Sequence, residues 1–310
     1  MKTKITLSSA IDGYLLYASA RRLSPHTITD YQNTFRKLQA HLVDDPPLAA
    51  ITTSQIREFL ASQNGISKKT LLNYHTGLSA LWTWSLAEGL VDDHILRHID
   101  RPRPEQRAIQ PLDRAAVEAL LATCDHTTTY TRPGKRQCRN TRPTGLRDRA
   151  ILLLLLDTGM RASELIELAT DHADLKSRRV LVEGKGNKER VLPISARTAQ
   201  ALWRYLASRP DPRGNTTRLF VSDQGAPISR HALARMLKRL GRRAGIPDVH
   251  PHRLRHTFAI QFLRNGGNGY VLQSLLGHST MEMVRVYLQL AQHDLADHHN
   301  RASPVDCWGL

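Results

Sequence analysis

The sequence predicts a mainly α protein with one small β-sheet, an α+β class, arranged as two domains. Three observations point there. Apolar residues recur at helical spacing through the first hundred positions. A Pro- and Arg-rich stretch at 100–111 interrupts the pattern. The second half holds a single pair of short β-rich runs joined by a Gly/Asn turn, set among further helical stretches.

Taken in order, the first domain (1–99) reads as a helical bundle. Ser24-Pro25 is a helix start, because Ser caps and Pro suits the first helical position. Tyr31, Phe35, Leu38 and Leu42 follow at helical spacing, and Asp44-Asp45-Pro46-Pro47 stops that helix. Thr53 or Ser54 caps a short helix with Ile56, Phe59 and Leu60. Ser67 opens a longer one with Leu71, Tyr74, Leu78, Leu81 and Leu86, ending at Gly89. The linker, residues 100–111, carries Arg101 and Arg103 between prolines that stiffen the chain.

The second domain (112–310) opens with a helix from Leu112 to about Cys124. A polar, basic insert at 126–145 follows, with Arg132, Lys135, Arg136, Arg139 and Arg142, and reads as a loop. The apolar run around Arg147 to Leu156 is a buried helix, Thr158-Gly159 interrupts it, and a second helix runs from Arg161 to about Ala169. Val180–Val182 and Val191–Ile194 form a hairpin through Gly184-Lys185-Gly186-Asn187-Lys188. Helices are expected at about 197–207, 230–244, 252–264, 270–276 and 280–291.

Charge narrows the function. The formal net charge is +16 over 310 residues, which points to a polyanion, either nucleic acid or an anionic membrane surface. The longest aliphatic run, Ala150 to Leu156, is seven residues, far below the roughly 20 that span a bilayer. Asp12 and several Ser and Thr break the region behind Lys2 and Lys4, so no signal peptide is read there. Cys124, Cys138 and Cys307 cannot build a disulfide framework, which suits a reducing cytoplasm. Cys124, His126 and Cys138 match no common zinc spacing, and no metal is expected. No GxxxxGK[ST] phosphate loop and no internal repeat is present.

Five stretches hold residues suited to chemistry on a phosphodiester. Arg161 sits where a tight turn enters a helix, with Glu164 three residues on and on the same face. A guanidinium grips two phosphate oxygens and stays charged, and a carboxylate can orient it. Read alone, such a pair is usually a surface ion pair. Lys185 at a hairpin tip can reach into a groove or protonate a leaving alkoxide, although a turn lysine is ordinarily only solubilising. His252 and Arg255 share a helical face behind Pro251, near a helix N-terminus that favours anions. His278 precedes a helix for which Ser279 and Glu282 suggest a capping box. Tyr287 lies nine residues after His278, and by position alone it reads as a core aromatic.

The ordered set Arg161, Lys185, His252-x-x-Arg255, His278 and Tyr287 resembles the active site of the tyrosine recombinases, the phage-integrase family that includes Xer-type and Cre-type enzymes. The phrases TGMRASEL, GKGNKER, HRLRHTFA and LLGHS resemble its Xer and integrase branch. The likeness is dense over about 112–295, and residues 5–100 fit the family's helical, SAM-like core-binding domain by layout. All six catalytic positions hold the expected residue type. The basic insert at 126–145 is a departure from a minimal Xer-type enzyme.

The resemblance implies a site-specific DNA recombinase. Tyr287 would attack a scissile phosphate and form a 3′-phosphotyrosine. Arg161 and Arg255 would stabilise the phosphate charge, and Lys185 would protonate the leaving 5′-oxygen. His252 would be the base towards a phenol of ordinary pKa ~10. His278 would hydrogen-bond the phosphate, with Glu164 in support. The ester conserves its energy, so neither ATP nor a cofactor is needed. The implied partners are double-stranded DNA sites and further copies of the chain, a dimer per site and a tetramer per Holliday junction, in the cytoplasm at the nucleoid and with no membrane. The tail, 288–310, would dock on a neighbour through Leu288, Leu290 and Leu295. Lys68, Lys69, Arg101, Arg103, Lys188 and the insert's Arg132, Lys135, Arg136, Arg139 and Arg142 are the expected DNA-holding cations. Integration, transposition and dimer resolution all use this chemistry. A type IB topoisomerase and a non-catalytic DNA-binding protein are the alternative readings.

Overall fold

A computed structural model describes residues 5–42, 44–104, 109–126, 140–184, 189–277, 280–291, 299 and 303–308. The chain divides into two compact units, Met1–Ala108 and Ile109–Leu310.

Among the described residues, the first unit holds four α-helices: α1 (Leu7–Ala20), α2 (Pro25–Leu42), α3 (Thr53–Ser62) and α4 (Lys68–Ala87). Helix α1 is not marked in the sequence by a proline or a glycine stop. It starts because the Thr6 side chain accepts from the Ser9 N–H, and it buries Leu7, Ala10, Ile11, Tyr14 and Ala18. Ser67 caps α4 by accepting from the Thr70 N–H. Helix α3 is capped by Thr52, one residue earlier than expected, because Gln55 completes a reciprocal capping box with it. The core packs Leu7 and Ile11 with Phe35, Leu38, Ile56, Phe59, Leu78, Leu81 and Trp82.

The second unit begins with α5 (Arg114–Asp125) and α6 (Gly145–Thr158). Ala150, Ile151, Leu152, Leu154 and Leu155 of α6 are all fully buried, the pattern of a helix surrounded by protein. Helix α7 (Ala162–Glu167) leads into a three-stranded antiparallel sheet: β1 (Ala173–Asp174), β2 (Arg179–Glu183) and β3 (Glu189–Pro193), in that order. Val180 pairs with Leu192 and Val182 with Arg190. The two-residue β1 is too short to leave a periodic signature in the sequence. Helices α8 (Ala196–Ala207), α9 (Arg230–Ala244), α10 (Pro251–Arg264), α11 (Gly269–Leu276) and α12 (Glu282–Ala291) follow, then a short helix Pro304–Trp308. No described helix is long and apolar enough to cross a membrane.

Three local features place the site. Helix α6 ends at Gly159, in the left-handed region at φ +61°. A Cβ there would lie 2.3 Å from the Phe258 ring, so glycine is required twice, by conformation and by packing. Helix α11 ends the same way at Gly277, φ +63°. Helix α10 starts at His250, whose ring accepts from the Arg253 N–H, with Pro251 in the first turn.

Candidate active site

The end of α11 gathers three arginines. Its last carbonyls lack helical partners and carry the negative end of the helix dipole. Arg190 of β3 donates through Nε to Leu275 O at 2.9 Å. Arg255 of α10 donates through Nη2 to Leu276 O at 2.8 Å, and through Nη1 to Gly159 O at 2.7 Å. Arg161, just before α7, donates through Nη2 to Gly277 O at 2.9 Å. Three successive carbonyls thus hold guanidiniums from three different elements, immediately before His278.

Glu164 organises the same cluster. Its carboxylate, 4% exposed, accepts four bonds. Arg161 supplies its backbone N–H at 2.7 Å and Nη1 at 2.8 Å. Arg190 supplies Nη1 at 2.9 Å and Nη2 at 2.8 Å in a bidentate pair. Burial pushes the Glu164 carboxyl up, but the bonds from Arg190 and from the Arg161 backbone outweigh it and hold it below its ordinary value. The carboxylate therefore stays ionised and balances part of the positive charge.

Arg255 is 5% exposed. Burial, then repulsion from Arg161, brings its pKa down to about 10, so it remains charged at neutral pH. The Arg161 side chain keeps 34% of its surface accessible. His252, at the head of α10, is exposed. Partial desolvation, then Arg255 and His250, hold its imidazole below the usual value.

Tyr287 is 1% exposed and sits among Ala259, Ile260, Leu263, Leu272, Leu276 and Val284. Its hydroxyl lies 2.8 Å from Nδ1 of His256. Burial raises the phenol's pKa, with Arg255 opposing. Burial also drives His256 down to about 4, with His252, His250 and Arg255 adding to the effect. Phenol and imidazole are therefore both neutral at pH 7. Among the described members, then, Arg161, Arg255, Glu164, His252 and Tyr287 come from α7, α10 and α12, around the end of α11.

Comparisons with known proteins show the family. The model of the phage integrase family matches residues 111–293, more than half of the chain. The model of the phage integrase N-terminal SAM-like domain matches residues 11–64. The chain belongs to the phage integrase family. Tyrosine recombinase XerC of Alcanivorax borkumensis is 34% identical over 292 residues, covering 93% of this chain and 91% of that one. Tyrosine recombinase XerD of Mycobacterium leprae is 31% identical over 305 residues, covering 92% and 93%. The Xer-like branch read from the local phrases is thus the right one. A solved structure of the Tn1549 transposon integrase with transposon right end DNA has the same fold, with TM-score 0.74, 20% identity and coverage of 96% and 99%. The XerH recombinase bound to a palindromic difH substrate does too, at TM-score 0.70, 20% identity and coverage of 88% and 79%.

Several further residues of the site carry only weak sequence signals. His256 stands in the quoted stretch HRLRHTFA, and its i, i+4 relation to His252 puts it on the same helical face. Arg190 sits in GKGNKER but was not singled out, and its inward charge in a strand is the signal that could have found it. The exposed side of α9 carries Arg230, His231, Arg235, Lys238, Arg239 and Arg242.

One expectation is corrected. Arg142 is not a DNA-facing residue of the insert, because it is 6% exposed. Its Nη2 donates to Asp148 Oδ2 at 2.5 Å, and its Nη1 reaches the Thr123 carbonyl at 3.2 Å. Asp148, fully buried, also accepts from Arg147. A buried carboxylate needs such partners, and that need holds Arg142 inside. Leu288 and Leu290 pack against the cluster around Tyr287 in their own chain. Lys185, Lys188, His278, Ser279, Leu295, Arg132, Lys135, Arg136 and Arg139 lie outside the described residues. Lys68, Lys69, Arg101 and Arg103 are exposed.

Proposed function

We propose that this chain is a site-specific DNA recombinase that cuts and rejoins duplex DNA through a 3′-phosphotyrosine on Tyr287. The observation that carries the reading is the gathering of Arg161 and Arg255 on adjacent carbonyls, with Tyr287 packed against the helix that bears Arg255. A phosphate held by both guanidiniums has its non-bridging oxygens neutralised before attack. As the Tyr287 oxygen bonds to phosphorus, the bond to the 5′-oxygen breaks and that oxygen takes a proton. Lys185 is the proposed donor. His278 and His252 complete the set around the phosphate. The tyrosyl ester conserves the energy of the broken bond, so a 5′-hydroxyl from a partner strand can reverse the step without ATP.

Two rounds of exchange through a Holliday junction require four copies on two sites, and that assembly, working in the cytoplasm at the nucleoid, is part of the proposal. The curated relatives carry the name tyrosine recombinase, and the XerH site-specific recombinase, which shares the fold, was solved bound to a palindromic difH substrate. Lys68, Lys69, Arg101, Arg103, Lys188 and the insert's Arg132, Lys135, Arg136 and Arg139 are proposed to hold the duplex. The exposed basic side of α9 joins them.

The test uses a duplex selected from a random-sequence library for binding by the full chain, then nicked beside the mapped cleavage point. The wild type should form a covalent adduct that survives EDTA, and Tyr287→Phe should form none. An adduct that persists in Tyr287→Phe, or that requires Mg²⁺, contradicts the reading. Plasmid relaxation without any intermolecular joining would favour a topoisomerase.

A further inference from the structure

His256 belongs to none of the six positions that carry the resemblance, yet among the described residues its ring lies against the Tyr287 hydroxyl. We propose that His256 is a catalytic residue: its Nδ1 takes the phenolic proton of Tyr287 during strand cleavage and returns it during rejoining. This rests on the recombinase reading and goes beyond it by giving the nucleophile its own base.

Geometry carries the inference. The oxygen that must lose a proton lies 2.8 Å from Nδ1, within the range for direct transfer. The two rings lie 5.6 Å apart at 54°, so the contact comes from the hydroxyl and not from face-to-face stacking. The His252 ring lies 6.5 Å from that of His256, one turn nearer the exposed head of α10. The base role that the resemblance implied for His252 passes in this proposal to His256, and His252 is left to the phosphate. A neutral imidazole carrying its proton on Nε2 presents a lone pair at Nδ1, and Tyr287 donates to it.

Charge supplies a switch. Among the described residues, the Tyr287 hydroxyl and the His252 ring lie beside His256, and His252, His250 and Arg255 of its own helix act on it electrostatically. None of the three on its own helix favours an imidazolium. A phosphate bound by Arg161 and Arg255 brings negative charge that offsets this field and makes Nδ1 more basic when substrate is present. The step balances: Oη–P forms, P–O5′ breaks, the phenolic proton moves to Nδ1, and O5′ is protonated by a separate acid. Rejoining reverses each transfer.

The experiment measures adduct formation in single turnover on the selected, nicked duplex, with wild type, His256→Ala and His256→Gln. The glutamine can accept the hydroxyl's hydrogen bond through Oε1 but cannot take the proton. Both variants should be slower at pH 7 by about 10²–10³-fold, with unchanged duplex affinity and near-native thermal unfolding. The deficit should shrink as pH rises, because a growing fraction of the phenol then ionises without a base. A 5′-bridging phosphorothiolate, whose sulfur leaves without an acid, should restore Lys185→Ala and leave the His256 variants slow. A wild-type rate in His256→Gln, a deficit independent of pH, or rescue by sulfur would each overturn the proposal. No adduct in the wild type would instead sink the recombinase reading itself.

Discussion

Arg161 and Arg255 donate to adjacent carbonyls: Arg161 to Gly277 O at 2.9 Å and Arg255 to Leu276 O at 2.8 Å. Two residues almost a hundred positions apart in sequence are thereby set side by side on the end of one helix. Neither depends on the phosphate for its orientation. Such preorganisation is what makes charge stabilisation effective at the moment of reaction.

Arg190 should matter almost as much as the residues it holds. It joins β3 to Glu164 and to Leu275 O. Arg190→Ala leaves Glu164 with Arg161 alone and lets the end of α11 drift. Small displacements of this kind can cost about 10²-fold in rate. Single-turnover adduct formation should fall by that order while duplex affinity holds. Arg190→Lys should recover little, because an ammonium cannot make a bidentate pair and reach a carbonyl as well.

The Arg142–Asp148 pair should act on stability alone. Both side chains are essentially buried, and removing one partner of such a pair costs about 3–5 kcal/mol. Asp148→Ala and Arg142→Ala should each lower the unfolding midpoint clearly. The slope of log affinity against log salt should stay at the wild-type value for whatever folded Arg142→Ala remains. A reduced slope would return Arg142 to the DNA surface.

Acid should destabilise the fold around α10. The folded-state pKa of His256 is lowered to about 4, and those of His250 and His252 are lowered too. In each case the unfolded chain binds a proton more readily than the folded one. The stability they support is therefore present above about pH 6.5, the ordinary histidine value, and is lost as pH falls towards 4. Thermal unfolding followed from pH 7 to 4.5 should show a falling midpoint, and His256→Gln should flatten that fall.

The exposed basic side of α9 should contribute to holding DNA. Arg235, Lys238, Arg239 and Arg242 are exposed there. Each one that meets a phosphate should reduce the salt slope by about 0.9 when replaced by alanine. Arg235→Ala and Arg239→Ala, measured by fluorescence anisotropy on the selected duplex across salt concentrations, check this. An unchanged slope would place the duplex elsewhere.

Much of this molecule is legible in its sequence because its signals are local. Ser67 announces α4, the Gly/Asn turn announces the hairpin, and the spacing of His252 and Arg255 puts them on one face. What stays hidden depends on long-range contacts. Helix α1 carries no strong start beyond Thr6, and its burial is decided by residues such as Phe35 and Trp82. The carbonyls of 275–277 have no side-chain signature, so the seat of the three arginines could not be read. Arg142 looked like its neighbours in a basic stretch, and only the buried Asp148 six residues on separates it from them. His256 was in plain view, but a helical face does not reveal what packs across from it, and Tyr287 arrives from 31 residues away.

The most direct test of the account is to map the covalent bond. The adduct on the nicked duplex is digested with trypsin and nuclease, and the peptides are weighed. A residual nucleotide mass is expected on the peptide Val286–Arg301, fragmenting to Tyr287. Attachment to any other residue, or cleavage with no protein-linked nucleotide at all, would contradict it.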